Sequence, residues 1–176
     1  DSKADAFEGL RGNYPPILCA PEEYEIQEDD VFFVAMGEPQ WRKHYAELME
    51  AKGAKYMSII CDSASLNPTA LVGEGAFIGG STVVSDNVTI GKHAMVHGFC
   101  SLGHDAKVDD YASVGAYVFL GGYAYVGKCS NMAPKSMIIR MKGVGDNVIV
   151  GAGSVVMRKF GDNLHLFGNP AKKMEF

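Results

Sequence analysis

Long apolar runs are missing from this 176-residue sequence: the longest, residues 31–36, is far too short to span a bilayer. A basic surplus is missing too. Sixteen Lys and Arg stand against 21 Asp and Glu, a net charge of −5, so no excess of cations exists to displace phosphate counterions, which argues against a nucleic-acid partner. Cysteine is sparse. Cys19, Cys61, Cys100 and Cys129 are scattered, forming neither a CxxC zinc pattern nor a dense disulfide framework, and reduced thiols are expected. No basic segment followed by an apolar one opens the residues, so no secretion signal is read; a cytoplasmic location without membrane insertion is the expectation. Apolar content of 47% and charged content of 21% are those of a globular protein with a sizeable core.

What is present is a repeat. Steps of six from Leu66 reach Val72, Ile78, Val84, Ile90 and Val96, then Leu102, Val108, Val114, Leu120 and Val126, and on through Met132 to Val156. All sixteen anchors are aliphatic or Met. With such residues at about 30% of an average chain, chance odds for that run are on the order of one in a hundred million. Four places after each anchor the residue is small in fourteen hexads, Lys142 and Phe160 being the exceptions. Gly follows the anchor at Gly73, Gly79, Gly91 and Gly103 among others, where it is expected to accept unusual corner dihedrals. A strict period of six fits neither an α-helix nor an ordinary strand. It predicts a left-handed parallel β-helix over residues 63–161, three hexads closing each 18-residue triangular coil, with residues 162–176 as a tail.

Residues 1–62 read differently. Strands are expected at 31–36, at 56–60 and also at 17–20, with a helix from Pro39 to about Lys52 between the first two. That helix should present Trp41, Tyr45, Leu48 and Met49 on one face and stop at Gly53. The unit is a small α/β Rossmann-like domain, apparently incomplete, because the polar residues 1–5 offer no opening strand and no Gly-rich turn follows. An upstream strand, loop and helix are therefore expected to lie outside this chain's sequence or to come from another chain.

His104 is the foremost site candidate. It sits two places after anchor Leu102, at a corner where side chains point outward, and Asp105 can hold one imidazole tautomer. Steps of one coil from His104 reach Gly122, Arg140 and Arg158, an edge carrying a base, a bare backbone amide and two cations. Such an edge suits an extended acyl-CoA, its thioester near His104 and Gly122 and its phosphates near the arginines. His93 and His97 occupy other corner positions, so no metal site is expected within one chain.

With these residues in place, the chain resembles the bacterial N-acetyltransferases of nucleotide-linked amino sugars, relatives of the sialic acid O-acetyltransferases. The likeness is carried by NPTALVGEGAFIG, SLGHDAKVDDYASVGA, VIVGAGSVV and the closing GNPAKKM, with the HD pair and GNPAK the most specific. The resemblance implies His104 as general base, Asp105 as its orienting partner and the Gly122 amide as holder of the thioester carbonyl. It implies acetyl-CoA as co-substrate, a homotrimer with a groove between two subunits, and further cofactor contacts near Pro134 and Ala152. Pro134 departs from the pattern in having no N–H. Ser113 departs as well, standing where many relatives carry a second His. The nucleotide-sugar pocket of such enzymes uses a Gly-rich turn that this chain lacks, which leaves Gly37 and Glu38 as the acceptor-side candidates. The implied activity is N-acetylation of a nucleotide-linked amino sugar. Its alternatives are O-acetylation of a sugar or serine hydroxyl, a non-catalytic assembly module, and a zinc hydratase built on the same helix.

Overall fold

The computed structural model of the chain describes Gly12 and residues 14–174. From residue 59 the backbone is a parallel β-helix of two-residue strands on three faces. The first face opens with β1 (Ile59–Ile60), the second with β2 (Ser65–Leu66) and the third with β3 (Leu71–Val72). Each strand pairs in parallel with its equivalent on the next coil; Leu102 lies over Leu120, and Leu120 over Ile138. The second and third faces hold six strands each and the first holds eight.

The hexad pattern explains this packing. The second residue of each strand points into the prism, where Ile78, Val96, Leu120, Val126, Met132, Ile138 and Val150 are 0% exposed. The small residue before the next strand lies beside it, and Ala76, Ala94, Ala112 and Ser130 are equally buried. The first strand residue faces outward. Phe160 is no true exception: it is the inward residue of the strand at Lys159–Phe160 and pairs with Val144, because the hexad before it is two residues short.

The glycines after the anchors do something other than expected. Gly73, Gly79, Gly91 and Gly103 do not take positive φ; a Cβ on Gly73 would lie 2.6 Å from the Lys92 nitrogen of the next coil. They are glycine because the coils touch there. The left-handed residue comes two places later and is usually not glycine: Asn87, His93, Phe99, Asp105, Tyr111, Tyr117, Tyr123 and Lys135 all lie at φ between 52° and 62°. That conformation costs roughly 1–2 kcal/mol for an L-residue. It is held by stacking, since such N–H groups donate to the coil before, as Asp105 does to the Asp86 carbonyl and Tyr123 to that of His104, while Asn87 donates to the Thr69 hydroxyl.

The N-terminal part differs from the expected α/β domain. The helix is there, α1 (Pro39–Ala51), with Pro39 in its first turn. The strands are not. Residues 31–36 and 56–60 meet in one parallel bridge, Phe32 with Tyr56, and residues 17–20 are irregular. The first face of the β-helix has taken Ile59–Ile60 as its opening strand, pairing it with Phe77 and Ile78, so little remains for a separate sheet. The buried stripe of α1 is also different: Pro39, Arg42, Ala46 and Met49 are its buried residues while Trp41 is 55% exposed. The reading of residues 1–5 lies outside the described residues. In the tail, His165–Phe167 adds a parallel strand to the first face and Lys172–Lys173 pairs with it antiparallel. No helix among the described residues is long and apolar enough to cross a membrane.

The contrast between the two kinds of corner residue is testable. Gly73→Ala drives a Cβ into backbone that cannot yield, and should destabilise the fold by about 1–3 kcal/mol. Lys135→Gly releases a left-handed residue on an exposed corner and should melt no lower than the parent. Thermal unfolding followed by circular dichroism checks both, and equal melting points for the two variants would contradict this account of the corners.

Candidate active site

His104 and Asp105 occupy the corner between the second and third faces. Asp105 takes its left-handed conformation, φ 57°, and this turns the carboxylate back to the imidazole, with His104 Nδ1 2.8 Å from Oδ2. The hydrogen bond from His104, joined by weaker ones from Asn87 and Tyr123, holds the Asp105 carboxyl below the usual carboxylate range. With the Nδ1 proton donated to Asp105, Nε2 carries the free lone pair. Nε2 lies against Gly122: a Cβ placed there would sit 2.5 Å from it. Glycine at 122 is thus a steric requirement of the base. Gly103 serves the same spot from below, since a Cβ on it would come within 2.7 Å of the Gly122 nitrogen.

The Gly122 N–H is the second element. On the corner between the third and first faces, the equivalent N–H groups of Lys92, Lys128 and Asp146 are capped by the carboxylates of Asp110, Asp146 and Asp162. The edge of His104 carries no such carboxylate at Gly122, Arg140 or Arg158, leaving the Gly122 N–H beside Nε2 to a ligand oxygen. Further along the edge, Arg140 is exposed, and the Arg158 guanidinium lies 4.8 Å above the Phe160 ring. The strand register stacks His104, Gly122, Arg140 and Arg158 as one column, as their spacing predicts.

The remaining candidates gather elsewhere. Gly37, Ser113 and Pro134 line one cavity of about 300 Å³ together with His97 and Asn131. Pro134 and Ala152 occupy the corner between the first and second faces, across the second face from His104, so one chain does not bring the two groups together. The Pro134 carbonyl accepts from the Gly153 N–H at 3.1 Å. Glu38 is exposed at the start of α1 with no side-chain capping bond. His97 was weighed in the sequence only as a metal ligand, and Asn131 escaped that reading because a half-covered strand residue carries no motif.

Ser113 is explained by a residue that reading also missed. Arg42 is wholly buried, and its guanidinium donates to the carbonyls of His93 (2.8 Å), Met36 (2.6 Å) and Tyr111 (2.6 Å) and to Ser113 Oγ (2.8 Å). Burial lowers its pKa to about 10, which leaves it charged at neutral pH. It fastens the turn at Met36 and Gly37 to the first face, so Ser113 acts here as its acceptor. The spacing of Pro39, Arg42, Ala46 and Met49 is the signal that marks it, since these positions form one helical stripe.

No family model matches the chain, and no curated protein matches it. Solved structures do. A histidine-to-asparagine variant of perosamine N-acetyltransferase from Caulobacter crescentus, in complex with CoA and GDP-perosamine, superposes with a TM-score of 0.81. It is 25% identical over 83% of this chain and 70% of its own. The acetyltransferase domain of PglB from Neisseria gonorrhoeae, in complex with acetyl coenzyme A, gives 0.64 at 26% identity over 89% and 73%. The chain is thus similar in fold to solved acetyltransferases over most of its length. WeeI from Acinetobacter baumannii, at 20% identity and a TM-score of 0.69, shares the fold. Among the described residues, no three His, Cys, Asp or Glu side chains form a metal-holding group.

The seam between α1 and the coils contains a pH-sensitive group. His93 is 3% exposed, flat against Tyr111 at 5.4 Å and edge-on to Tyr56, and its buried Nδ1 makes no hydrogen bond. Burial lowers its pKa; Glu74 and Glu50 oppose that shift, while Arg42 and Lys92 add to it. The folded form therefore binds a proton more weakly than the unfolded chain, and stability should fall as pH drops below the ordinary value of 6.5. His93→Phe keeps the ring stack and should lose less melting temperature between about pH 7.5 and about pH 5.5 than the parent. Identical slopes for the two proteins would remove His93 from the acid response.

Proposed function

We propose that this protein transfers the acetyl group of acetyl-CoA to the amine of a nucleotide-linked amino sugar. The observation that carries the reading is the His104–Asp105 pair at 2.8 Å with Nε2 set against the Gly122 backbone. The amine nitrogen attacks the thioester carbonyl carbon while His104 Nε2 takes its proton, and the Gly122 N–H stabilises the oxyanion. The tetrahedral intermediate then collapses, the carbon–sulfur bond breaks and the CoA thiolate leaves. No covalent acyl-enzyme is needed. Arg140 and Arg158, further along the same edge, offer charge to the cofactor phosphates. The neighbours' complexes with CoA, acetyl-CoA and GDP-perosamine support the substrate classes. Gly37 is the acceptor-side candidate that lines a cavity, and Glu38 stands beside it in sequence.

Division of the candidates between two edges supports a homotrimer in which the edge of His104 faces the edge of Pro134 and Ala152 on the next subunit. The second face between those edges exposes Phe119 (44%) and Val83 (52%), with Phe99 and Tyr117 stacked at 4.9 Å on its corner. Sedimentation at micromolar concentration should give a trimer; a stable monomer with full activity would break this part of the proposal.

The deciding assay presents UDP- and GDP-linked amino sugars with acetyl-CoA and follows free thiol. His104→Ala should lower kcat by about 10²-fold or more while leaving CoA affinity nearly unchanged. Gly122→Ala should fold, because only an imidazole must move, and should lose at least about tenfold in kcat as the base is displaced. Normal turnover in both variants would remove this pair from the chemistry.

A further inference from the structure

Three departures from the hexad rule coincide on the third face. Lys142 stands where a small buried residue is the rule. Gly143 is a glycine at an outward strand position, where the same face otherwise carries Leu71, Thr89, Lys107, Tyr125 and Lys159. The next coil is two residues short, between Val156 and Phe160, so that Phe160 pairs with Val144. Together they leave a cavity of about 420 Å³ lined by Tyr123, Tyr125, Met141, Lys142, Lys159 and Phe160.

Its walls are fixed. The Tyr125 hydroxyl donates to Asp109 at 3.1 Å, and the Lys107 ammonium lies 5.7 Å from the centre of its ring. Asp162, the acid on the lining, accepts the Asp146 N–H with one carboxylate oxygen. Tyr123 joins the cavity to the base, because its ring stands edge-on to His104 with centroids 5.2 Å apart. Flat aromatic walls with two ammonium groups match a purine nucleotide bearing a phosphomonoester: the base stacks and the dianion takes the lysines.

We propose that this cavity holds the 3′-phosphoadenosine end of acetyl-CoA, an inference that rests on the acetyl-transfer reading above. The cofactor then runs from His104 along the edge, its diphosphate passes Arg140, and its adenosine turns onto the third face. From the coil of His104 to those of Lys142 and Lys159 is two to three coils, roughly 10–15 Å, a span that the pantetheine arm covers. Lys142 and Lys159 thereby become the residues that read the 3′-phosphate.

Calorimetric titration of the whole protein with CoA and with 3′-dephospho-CoA tests this. The parent should bind CoA about tenfold more tightly than its dephospho analogue. Lys142→Ala, Lys159→Ala and the milder Lys159→Gln should each weaken CoA by about fivefold and leave 3′-dephospho-CoA within about twofold, with melting curves confirming the fold. Arg140→Ala should weaken both ligands alike. CoA binding with no preference over the analogue, or lysine variants that retain the parent's preference, would overturn the location while leaving acetyl transfer standing. Absence of any CoA binding would overturn both.

Discussion

Corners of the β-helix are held by one repeated bond, the N–H of a left-handed residue donating to the coil before. The residue pays a conformational penalty that the stacked bond offsets, and the corner is fixed only because another coil lies against it. Strands of two residues could not hold a sheet alone. Local conformation, coil stacking and burial of the anchors are therefore one cooperative arrangement.

The chemistry inherits this arrangement. Asp105 faces His104 because it is the left-handed residue of its corner, so the feature that closes the coil also orients the base. The Gly122 amide is presented because the coil above His104 has no side chain there and because its edge lacks the aspartates that cap the neighbouring edge. Tyr123, the left-handed residue one coil on, then links the imidazole to the cavity on the third face. Three functional positions on adjacent coils follow from one corner geometry.

Much of this was legible in the sequence because the period of six maps number directly onto place. The anchors, the buried small residues and the column from His104 to Arg158 needed nothing but counting. What stayed hidden depends on contacts that no period encodes. The glycines after the anchors were assigned to dihedral freedom, whereas they answer to backbone approach from the next coil. Phe160 broke the pattern because a two-residue deletion is invisible to a fixed step. The N-terminal strands failed because the β-helix competes for Ile59–Ile60, a tertiary outcome that local propensity cannot rank. Arg42 carries no motif, and six acceptors within the chain let it be buried without a carboxylate.

The antiparallel turn of the tail bears on colloidal behaviour. A stack of parallel coils ends in unpaired donors and acceptors that another molecule's coil could continue indefinitely. Here the last strand of the first face is met by Lys172–Lys173 running the opposite way, two exposed cations on a ribbon of the wrong polarity. The register cannot propagate through it on that face. A scaffold that grows by repetition carries its own terminator, and end-to-end fibres are opposed by chain direction and charge.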